Sequence, residues 1–323
     1  MGSNTIPRGE PEGVTRRQLL QHTSVTAAAG VTVPKGGRAA TIQDIGDMPL
    51  LDTHLHVTPI DGTTRQAFST EQAVNWMDDH SVDQAVLLPL ESPTSWFYPV
   101  PTWWTLREES KFPDRFIPFC TVAPLVAEQF GEDTIRERLE TYVSMGARGV
   151  GELKAPVPFD DNRVQTVYET CAELDLPVLF HMDGVNLTDE VGLPRTEAML
   201  QAYPNVDFIG HGAGWWASIS GDLDSVATVW PEGPVTSGGA IPRLLAEYDN
   251  LSGDLSGGSG WNALTRDLAF GQEFLNEYAD SLLFGTDKLA PEQNVGQFNI
   301  FREFDLAPDQ WAQIRYQNLQ DLL

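Results

Sequence analysis

Four of the six histidines in this sequence end short apolar segments, where their spacing permits metal binding. His54 and His56 are separated by one residue, and His181 and His211 each close a later segment of the same kind. Side chains two residues apart on a strand point to one face, so two such imidazoles can converge on one ion at about 2.0–2.1 Å each. One histidine of such a pair is often only a hydrogen-bonded core residue. The pair therefore indicates a metal site only together with further ligands.

Acidic and other polar residues end the remaining segments and could supply those ligands. Glu152 and Lys154 end the fourth segment, Asp254 and Ser256 end the seventh, and Asp287 ends the eighth. Ionisable groups that converge in a buried place need a compensating charge, which a divalent metal ion provides. We interpret Asp254 and Ser256 as supporting or structural groups. Whether the groups meet depends on the elements that carry them.

The segments that carry these residues recur at nearly even spacing. They begin at residues 50, 83, 115, 147, 176, 206, 250 and 281, and helical patterns such as 131–143 and 162–174 lie between them. Near-continuous apolar strands that alternate with helices predict a parallel sheet covered on both faces. Eight such units predict a (β/α)8 TIM barrel, whose typical size of roughly 250 residues suits residues 50–323. An open doubly wound sheet is disfavoured, because no GxGxxG motif follows the first strand.

The first 40 residues are a different kind of sequence. Arg16 and Arg17 precede a weakly apolar stretch at 25–33 and a small-residue stretch that ends at Ala40. This order is similar to a twin-arginine export signal, and a disordered tail with an accidental arginine pair is the alternative. We therefore expect a signal or disordered tail over 1–40 and one barrel domain over 41–323. A functional signal predicts an extracytoplasmic protein, and a plain tail predicts a cytoplasmic one.

Composition excludes several classes of function. The chain has 46 acidic and 20 basic side chains, for a net charge of −26, which repels nucleic acids and anionic membrane surfaces. This acidic, lysine-poor composition is typical of the surfaces of proteins that work in concentrated salt. The two cysteines, Cys120 and Cys171, are too few for a disulfide framework and are expected to be buried thiols. Since no run of about 18 apolar residues exists, no transmembrane segment is predicted, and the expected partner is a small-molecule substrate.

Four motifs together resemble the metal-dependent amidohydrolase superfamily, in its amidohydrolase-related (amidohydrolase 2) branch. They are LDTHLH ending at His56, LFH ending at His181, FIGHG around His211 and LFGTD ending at Asp287. The stretch 314–322 looks like the usual C-terminal helix of this branch. The resemblance covers nearly all of residues 50–323, and the set is far more specific than any one motif.

The resemblance implies a catalytic divalent metal with a known type of ligand set. The implied ligands are His54, His56, His181 and Asp287, with His211 in or beside the coordination sphere. Zinc is the favoured ion, and manganese, iron and cobalt are alternatives. In such sites the strand-8 aspartate commonly takes a proton from the attacking water and later returns it to the leaving group, while the strand-6 histidine could steady the developing oxyanion.

Strand 4 leaves the number of metal ions open. In relatives with two ions, a strand-4 carboxylated lysine or glutamate bridges them, whereas relatives with one ion lack the bridge. We prefer Glu152 to Lys154 as a metal ligand, because it is already an anionic oxygen donor. A plain ion pair between the two residues is the alternative, so the site holds one or two ions.

Aromatic-rich segments after strands 2 and 6 are expected to lie on the mouth side of the barrel. We predict that they form an apolar pocket or lid. The alternative is that they cover hydrophobic surface or the subunit interface of a homo-oligomer. The predicted substrate contacts are Trp103, Trp104, Trp215 and Trp216.

Three functional hypotheses follow. The leading one is a metal-dependent hydrolase of small-molecule amide, ester or lactone bonds, in which the metal activates water. The second is a non-oxidative decarboxylase that uses the same metal to hold an aromatic or unsaturated acid, since the resembling branch contains such enzymes. The third is a non-catalytic binding protein on the same scaffold. Retention of every expected ligand type argues against the third.

Overall fold

Eight short parallel strands alternate with helices along the chain. The computed structural model describes residues 45–61, 66–95 and 99–323, so the export-signal prediction for residues 1–40 falls outside the described residues and stays a prediction. Each predicted apolar segment contains one strand. The strands are β1 Leu51–Leu55, β2 Gln84–Leu87, β3 Phe116–Pro118, β4 Val150–Leu153, β5 Val178–His181, β6 Phe208–His211, β7 Leu251–Asp254 and β8 Leu282–Leu283.

The strands close into a barrel across two seams. Regular parallel pairing joins β1 to β3 in one set and β4 to β8 in a second set. At the first seam, Cys120 pairs in parallel with Val150. At the second seam, Leu55 pairs with Lys288, and the His56 N–H donates to the Lys288 carbonyl at 2.8 Å. The predicted TIM barrel is confirmed, with all strand ends at one mouth.

Helices follow most strands and cover the barrel. Helix boundaries have local causes: the Asp161 side chain accepts from the Arg163 N–H at 3.0 Å at one helix start, and Asp175 ends the same helix in a left-handed conformation. The predicted helix at 162–174 is confirmed. The helices are α1 Thr70–Asp79, α2 Thr102–Glu109, α3 Ala127–Phe130, α4 Asp133–Ser144, α5 Asn162–Leu174, α6 Pro194–Ala202, α7 Ala213–Ala217, α8 Ala240–Glu247, α9 Gly257–Thr265, α10 Leu268–Glu277, α11 Ile300–Glu303, α12 Pro308–Ala312 and α13 Asn318–Asp321.

The barrel interior contains a compact apolar layer. Its members come from six strands or the residues that follow them and from α13, and all are at most 6% exposed. Side chains alternate along a strand, so Leu179 and Ile209 point to the same face as His181 and His211 two residues later. The apolar layer therefore lies directly below the groups at the strand ends. Its members are Leu51, Val86, Leu88, Ile117, Phe119, Leu179, Ile209, Leu283 and Leu319.

Two expectations from composition can be checked in the described residues. Cys120 and Cys171 are free and buried, and burial raises the pKa of both thiols, so they remain protonated core residues. Within the described ranges, no helix has both the length and the apolar character needed to cross a membrane.

Candidate metal centre

Two of the expected ligands, His54 and His56, lie at the end of strand β1, which is hydrogen-bonded to the segment after β8. The buried Asp52 carboxylate accepts from the His54 N–H at 3.0 Å and from the Thr286 N–H at 2.9 Å. Burial raises the pKa of Asp52 to about 7, against the effect of these hydrogen bonds. Asp52 thus holds the backbone that presents His54.

Donor atoms from four residues lie close together at the mouth of the barrel. The Nε2 atoms of His54 and His56 are 3.0 Å apart. Glu152 Oε2 lies 3.8 and 3.5 Å from these two nitrogens, and Asp287 Oδ1 lies 3.7 Å from each. Four ligands around a tetrahedral ion with bonds of about 2.1 Å stand roughly 3.4 Å from one another. The five separations match that spacing, so these side chains fit a divalent ion.

The Nδ1 atoms of His54 and His56 each lie within hydrogen-bond distance of an acceptor oxygen. His54 Nδ1 is 2.7 Å from Asp254 Oδ2, and His56 Nδ1 is 2.8 Å from the Leu88 carbonyl oxygen. Histidine ligands of metals usually donate their second ring N–H to a carboxylate or carbonyl, which fixes the tautomer. Both rings therefore direct an Nε2 lone pair towards the neighbouring donor atoms.

A second group of donors shares Glu152. Its Oε1 atom lies 2.5 Å from His181 Nδ1, without hydrogen-bond alignment, and 4.0 Å from His211 Nε2. Lys154 Nζ is 3.8 Å from the same oxygen. The two oxygens of Glu152 thus face different histidine pairs, while the ion pair that the sequence left as an alternative is also present.

Charge balance at the centre favours a cation. Burial would lower the pKa of His54, but its hydrogen bond with Asp254 and the nearby Glu152 carboxylate raise that pKa well above the usual imidazole value. The surrounding carboxylates thus stabilise positive charge at the point where the donor atoms meet. The same preference would favour a metal ion, which takes the place of the proton when it binds.

The two buried carboxylates at the centre are ionised. Burial would raise the pKa of Glu152, but Lys154 and His181 outweigh that effect, and the pKa lies well below the usual carboxyl value. Burial would likewise raise the pKa of Asp254, which His211 and His54 lower by hydrogen bonding. Ionised carboxylates beside imidazoles are the donor set expected for zinc or a similar divalent ion.

Asp254 supports two imidazoles, as a group that the sequence indicated only in general terms. Its Oδ2 atom lies 2.7 Å from His54 Nδ1 and 3.1 Å from His211 Nδ1, and it accepts from Ser256 Oγ at 2.5 Å. Ser256 Oγ is also 2.9 Å from His211 Nδ1. One fully buried oxygen therefore orients imidazoles from two strands. The sequence signal was an acidic residue at the end of β7, which indicated support but could not identify these partners.

Asp287 is the most accessible of the carboxylates that contact His54. Its side chain is 26% exposed, against 4% for Glu152 and 0% for Asp254. The residue has a left-handed backbone conformation with φ of 57°, and Gln293 Nε2 donates to its carbonyl oxygen at 2.6 Å. The turn after β8 therefore holds Asp287 Oδ1 close to the His54 and His56 nitrogens and leaves part of the Asp287 carboxylate accessible to solvent.

The neighbouring Lys288 stabilises this turn through its ammonium group. It is 1% exposed, and Nζ donates to the carbonyls of Pro291 at 3.0 Å and Gln293 at 2.8 Å. Nζ also lies 5.6 and 5.3 Å from the ring centres of Phe68 and Trp76. Such contacts compensate a buried ammonium group. Lys288 therefore supports the position of Asp287.

The structure does not support the predicted substrate contacts at Trp215 and Trp216. They are 0% and 1% exposed and pack in the core, where Trp216 Nε1 donates to the Asp254 carbonyl at 2.9 Å. Trp104 is also buried at 9% exposure, whereas Trp103 is 54% exposed beside Arg107. A buried indole has no free face for a substrate. Among the four predicted contacts, Trp104, Trp215 and Trp216 are therefore explained by packing, and Trp103 keeps an open surface.

Solved structures share this architecture. An uncharacterised TIM-barrel protein of Bordetella bronchiseptica has a TM-score of 0.63 at 16% identity, over 85% of this chain and 98% of that chain. A probable 2-pyrone-4,6-dicarboxylic acid hydrolase of Acinetobacter baumannii, with citric acid bound, has a TM-score of 0.55 at 16% identity, over 85% and 99%. A 5-carboxyvanillate decarboxylase of Novosphingobium aromaticivorans, with bound manganese, has a TM-score of 0.52 at 13% identity, over 88% and 99%. At these identities the likeness shows the fold alone.

Sequence comparison is more specific. A search of the curated proteins found no match. Residues 51–318 match the amidohydrolase family, and this stretch runs from β1 into α13. The match contains every residue of the candidate centre. The chain therefore belongs to the amidohydrolase family, whose members act on small molecules.

Proposed function

We propose that this protein is a metal-dependent hydrolase of small-molecule amide, ester or lactone bonds. The observation that carries the proposal is the position of the His54 and His56 Nε2 atoms, which lie 3.0 Å from each other and 3.5–3.8 Å from carboxylate oxygens of Glu152 and Asp287. Zinc fits this mixed nitrogen and oxygen donor set, and manganese fits it as an alternative. Bound there, a divalent ion supplies Lewis acidity to a substrate carbonyl and to a water molecule.

Asp287 is the proposed proton carrier. Its side chain reaches the donor atoms of His54 and His56 and is also open to the mouth of the barrel. Glu152 and Asp254 are too deeply buried to exchange protons with a substrate. Asp287 can therefore accept the proton of the attacking water and later donate it to the leaving amine or alkoxide oxygen.

His211 is proposed as a ligand rather than an oxyanion donor. Burial, and then the neighbouring His54, lower its pKa, which favours the neutral imidazole. Its Nδ1 faces Asp254 and Ser256, so in the neutral tautomer Nε2 offers a lone pair towards Glu152. A lone pair can bind a cation but cannot donate a hydrogen bond to an oxyanion.

The two faces of Glu152 support a site with two ions. Oε2 faces His54 and His56, and Oε1 faces His181 and His211. A carboxylate that offers one oxygen to each pair can bridge two cations. We therefore propose that Glu152 is the shared ligand, and we expect two metal ions per chain in elemental analysis, with one remaining in His181→Ala.

Purified full-length protein, loaded with zinc or with manganese, should hydrolyse members of an amide, ester and lactone panel. Chelation should abolish the activity, and readdition of the metal should restore it. Asp287→Asn keeps the shape of the side chain and should lower kcat strongly, whereas His80→Gln changes an exposed histidine at the end of α1 and should leave kcat within about twofold. Activity that persists after complete metal removal would contradict the proposal.

Decarboxylation is the second candidate. It is supported by the likeness in fold to a 5-carboxyvanillate decarboxylase with bound manganese. The same centre would then hold a substrate carboxylate, and Asp287 or a neighbouring group would protonate the ring carbon. Release of carbon dioxide from aromatic or unsaturated acids, without turnover of the hydrolase panel, would favour this candidate.

A further inference from the structure

A long segment between α7 and α8 forms a surface loop whose base is closed. The Gly221 N–H donates to the Thr236 carbonyl at 2.8 Å, and the Thr236 N–H donates to Ser220 Oγ at 2.9 Å. The Val235 N–H donates to Asp267 Oδ2 at 3.1 Å. Residues 221–236 thus form a compact loop, here called the β6 loop, with its ends held together.

The β6 loop contacts two other segments that leave the barrel mouth. On one side, Ala227 lies against Gly184 after β5, so closely that a Cβ atom on Gly184 would lie 2.7 Å from the Ala227 Cβ. On the other side, the indole of Trp230 lies on Gly258, where a Cβ atom would lie 2.2 Å from the Trp230 Cη2. The loop therefore extends from the β5 side of the mouth to the start of α9.

The contact at Gly258 places Trp230 close to the proposed reacting groups. The adjacent residue, Gly257, has a positive φ of 70°, and a Cβ atom there would lie 3.1 Å from Asp287 Oδ2 and 3.4 Å from His211 Cε1. Two successive glycines thus separate the indole from the carboxylate and the imidazole. A side chain at Gly258 would overlap the indole, and one at Gly257 would crowd the Asp287 carboxylate and the His211 imidazole.

Trp230 is 56% exposed although its ring is held against Gly258. This differs from Trp215 and Trp216, which are buried in the core. A large indole with one supported edge and exposed ring surface offers a flat apolar face, and stacked aromatic pairs contribute free energy beyond simple burial. Val229 beside it is 50% exposed, which extends the apolar surface at the tip of the loop.

We propose that Trp230 is a specificity-determining residue that stacks on a planar, unsaturated ring of the substrate. The carboxyl carbon of such a substrate would lie at the metal centre beside Gly257, and its ring would lie against the Trp230 indole beside Gly258. This assignment rests on the proposed use of the centre for carboxyl chemistry. It names the class of substrate: aromatic or ring-fused esters, lactones and acids rather than saturated ones.

The test compares two ligands that differ only in ring planarity. Benzoate and cyclohexanecarboxylate carry the same carboxylate, and their binding to the manganese-loaded full chain is measured by titration calorimetry. Wild type should bind benzoate about fivefold more tightly, which corresponds to one stacked ring pair. Trp230→Ala should remove that preference, Trp230→Phe should retain most of it, and Gly258→Ala, which displaces the indole without removing it, should reduce it.

Phe130→Ala is the matched control, because Phe130 is an aromatic residue that is 62% exposed at the end of α3. It should keep the wild-type preference. If Trp230→Ala lowers the affinity for both ligands equally, or leaves the preference for benzoate unchanged, the assignment is overturned. A preference for benzoate in a protein that turns over no substrate would support it while the proposed function fails. Turnover without any ring preference would overturn it and leave the proposed function intact.

Discussion

The barrel interior has two adjoining layers that are opposite in chemistry. In the apolar layer, Leu179 and Ile209 are 0% exposed and pack against other hydrocarbon side chains. One step further along the same strands, His181 and His211 enter a layer of imidazoles and carboxylates, here called the ionic layer, with 3% exposure for His211 and 4% for Glu152. The apolar layer gains free energy from leaving water, whereas the ionic layer must compensate lost hydration with hydrogen bonds and charge.

This difference indicates that the ionic layer is maintained for its chemistry and the apolar layer for folding. Each ionic side chain described at the centre has a close polar contact, such as His56 with the Leu88 carbonyl at 2.8 Å. That arrangement lowers the cost of burial without making the layer a strong source of stability. Substitutions in the two layers should therefore have separable effects, and three predictions test the separation.

The largest expected effect is on activity, from His54→Ala in the ionic layer. This change removes one donor atom of the proposed metal centre and the partner of Asp254. Lewis acid chemistry supplies several kcal/mol of catalysis, so activity should fall roughly thousandfold or more. Steady-state kinetics and metal content, measured on the same sample, check the prediction. Full metal content with wild-type kcat would show that the ionic layer does not serve catalysis.

Ile209→Ala tests the apolar layer at a position two residues from His211. The substitution leaves a cavity at a fully buried site, so the free energy of unfolding should fall by about 3 kcal/mol. Urea unfolding of the metal-free protein measures this change. The metal content of the folded variant should equal that of wild type. If Ile209→Ala loses the metal while its stability is unchanged, the two layers are not separable.

A smaller effect is expected from Asp254→Asn, which changes a contact of two imidazoles without removing a ligand. The new amide group replaces one acceptor oxygen by a donor, which conflicts with an N–H on His54 or His211. Metal affinity should fall by about 10- to 100-fold, as for other groups that orient ligands. Competition with a chromophoric chelator measures the affinity.

Ser256→Ala is the matched control for that change. It removes only the hydroxyl that bonds to Asp254 and His211, so the acceptor of His54 remains. Its loss of affinity should be clearly smaller than that of Asp254→Asn. Equal losses in both variants would mean that the hydroxyl, and not the carboxylate, orients the rings.

The barrel was predictable because its local signals agree with one another. The helix at Asn162–Leu174 has apolar residues at helical spacing and an Asp161 cap, and the eight apolar runs each became a strand. The implied ligands were predictable because they end those strands, and ends of parallel strands in a closed barrel meet at one mouth. The roles of these residues in catalysis remain predictions.

Side-chain exposure and contacts between distant residues could not be predicted from the local sequence pattern. Trp215 and Trp230 both follow β6, yet one is 0% and the other 56% exposed, because only the first lies on a helix that packs on the barrel. Asp254 is adjacent in space to His54, which is 200 residues away in the chain. Composition and periodicity carry no information about such distant partners.

The sequence by itself determined the alternation of strands and helices, the positions of the imidazoles and carboxylates along them, and the membership of the chain in its family. These follow from residue type and spacing, which act over a few neighbouring residues. The tertiary structure decided which oxygen of Glu152 faces which histidines, which tryptophans are exposed, and which carboxylate is accessible. These depend on ångström-scale distances between side chains far apart in the chain, which only the closure of the barrel fixes.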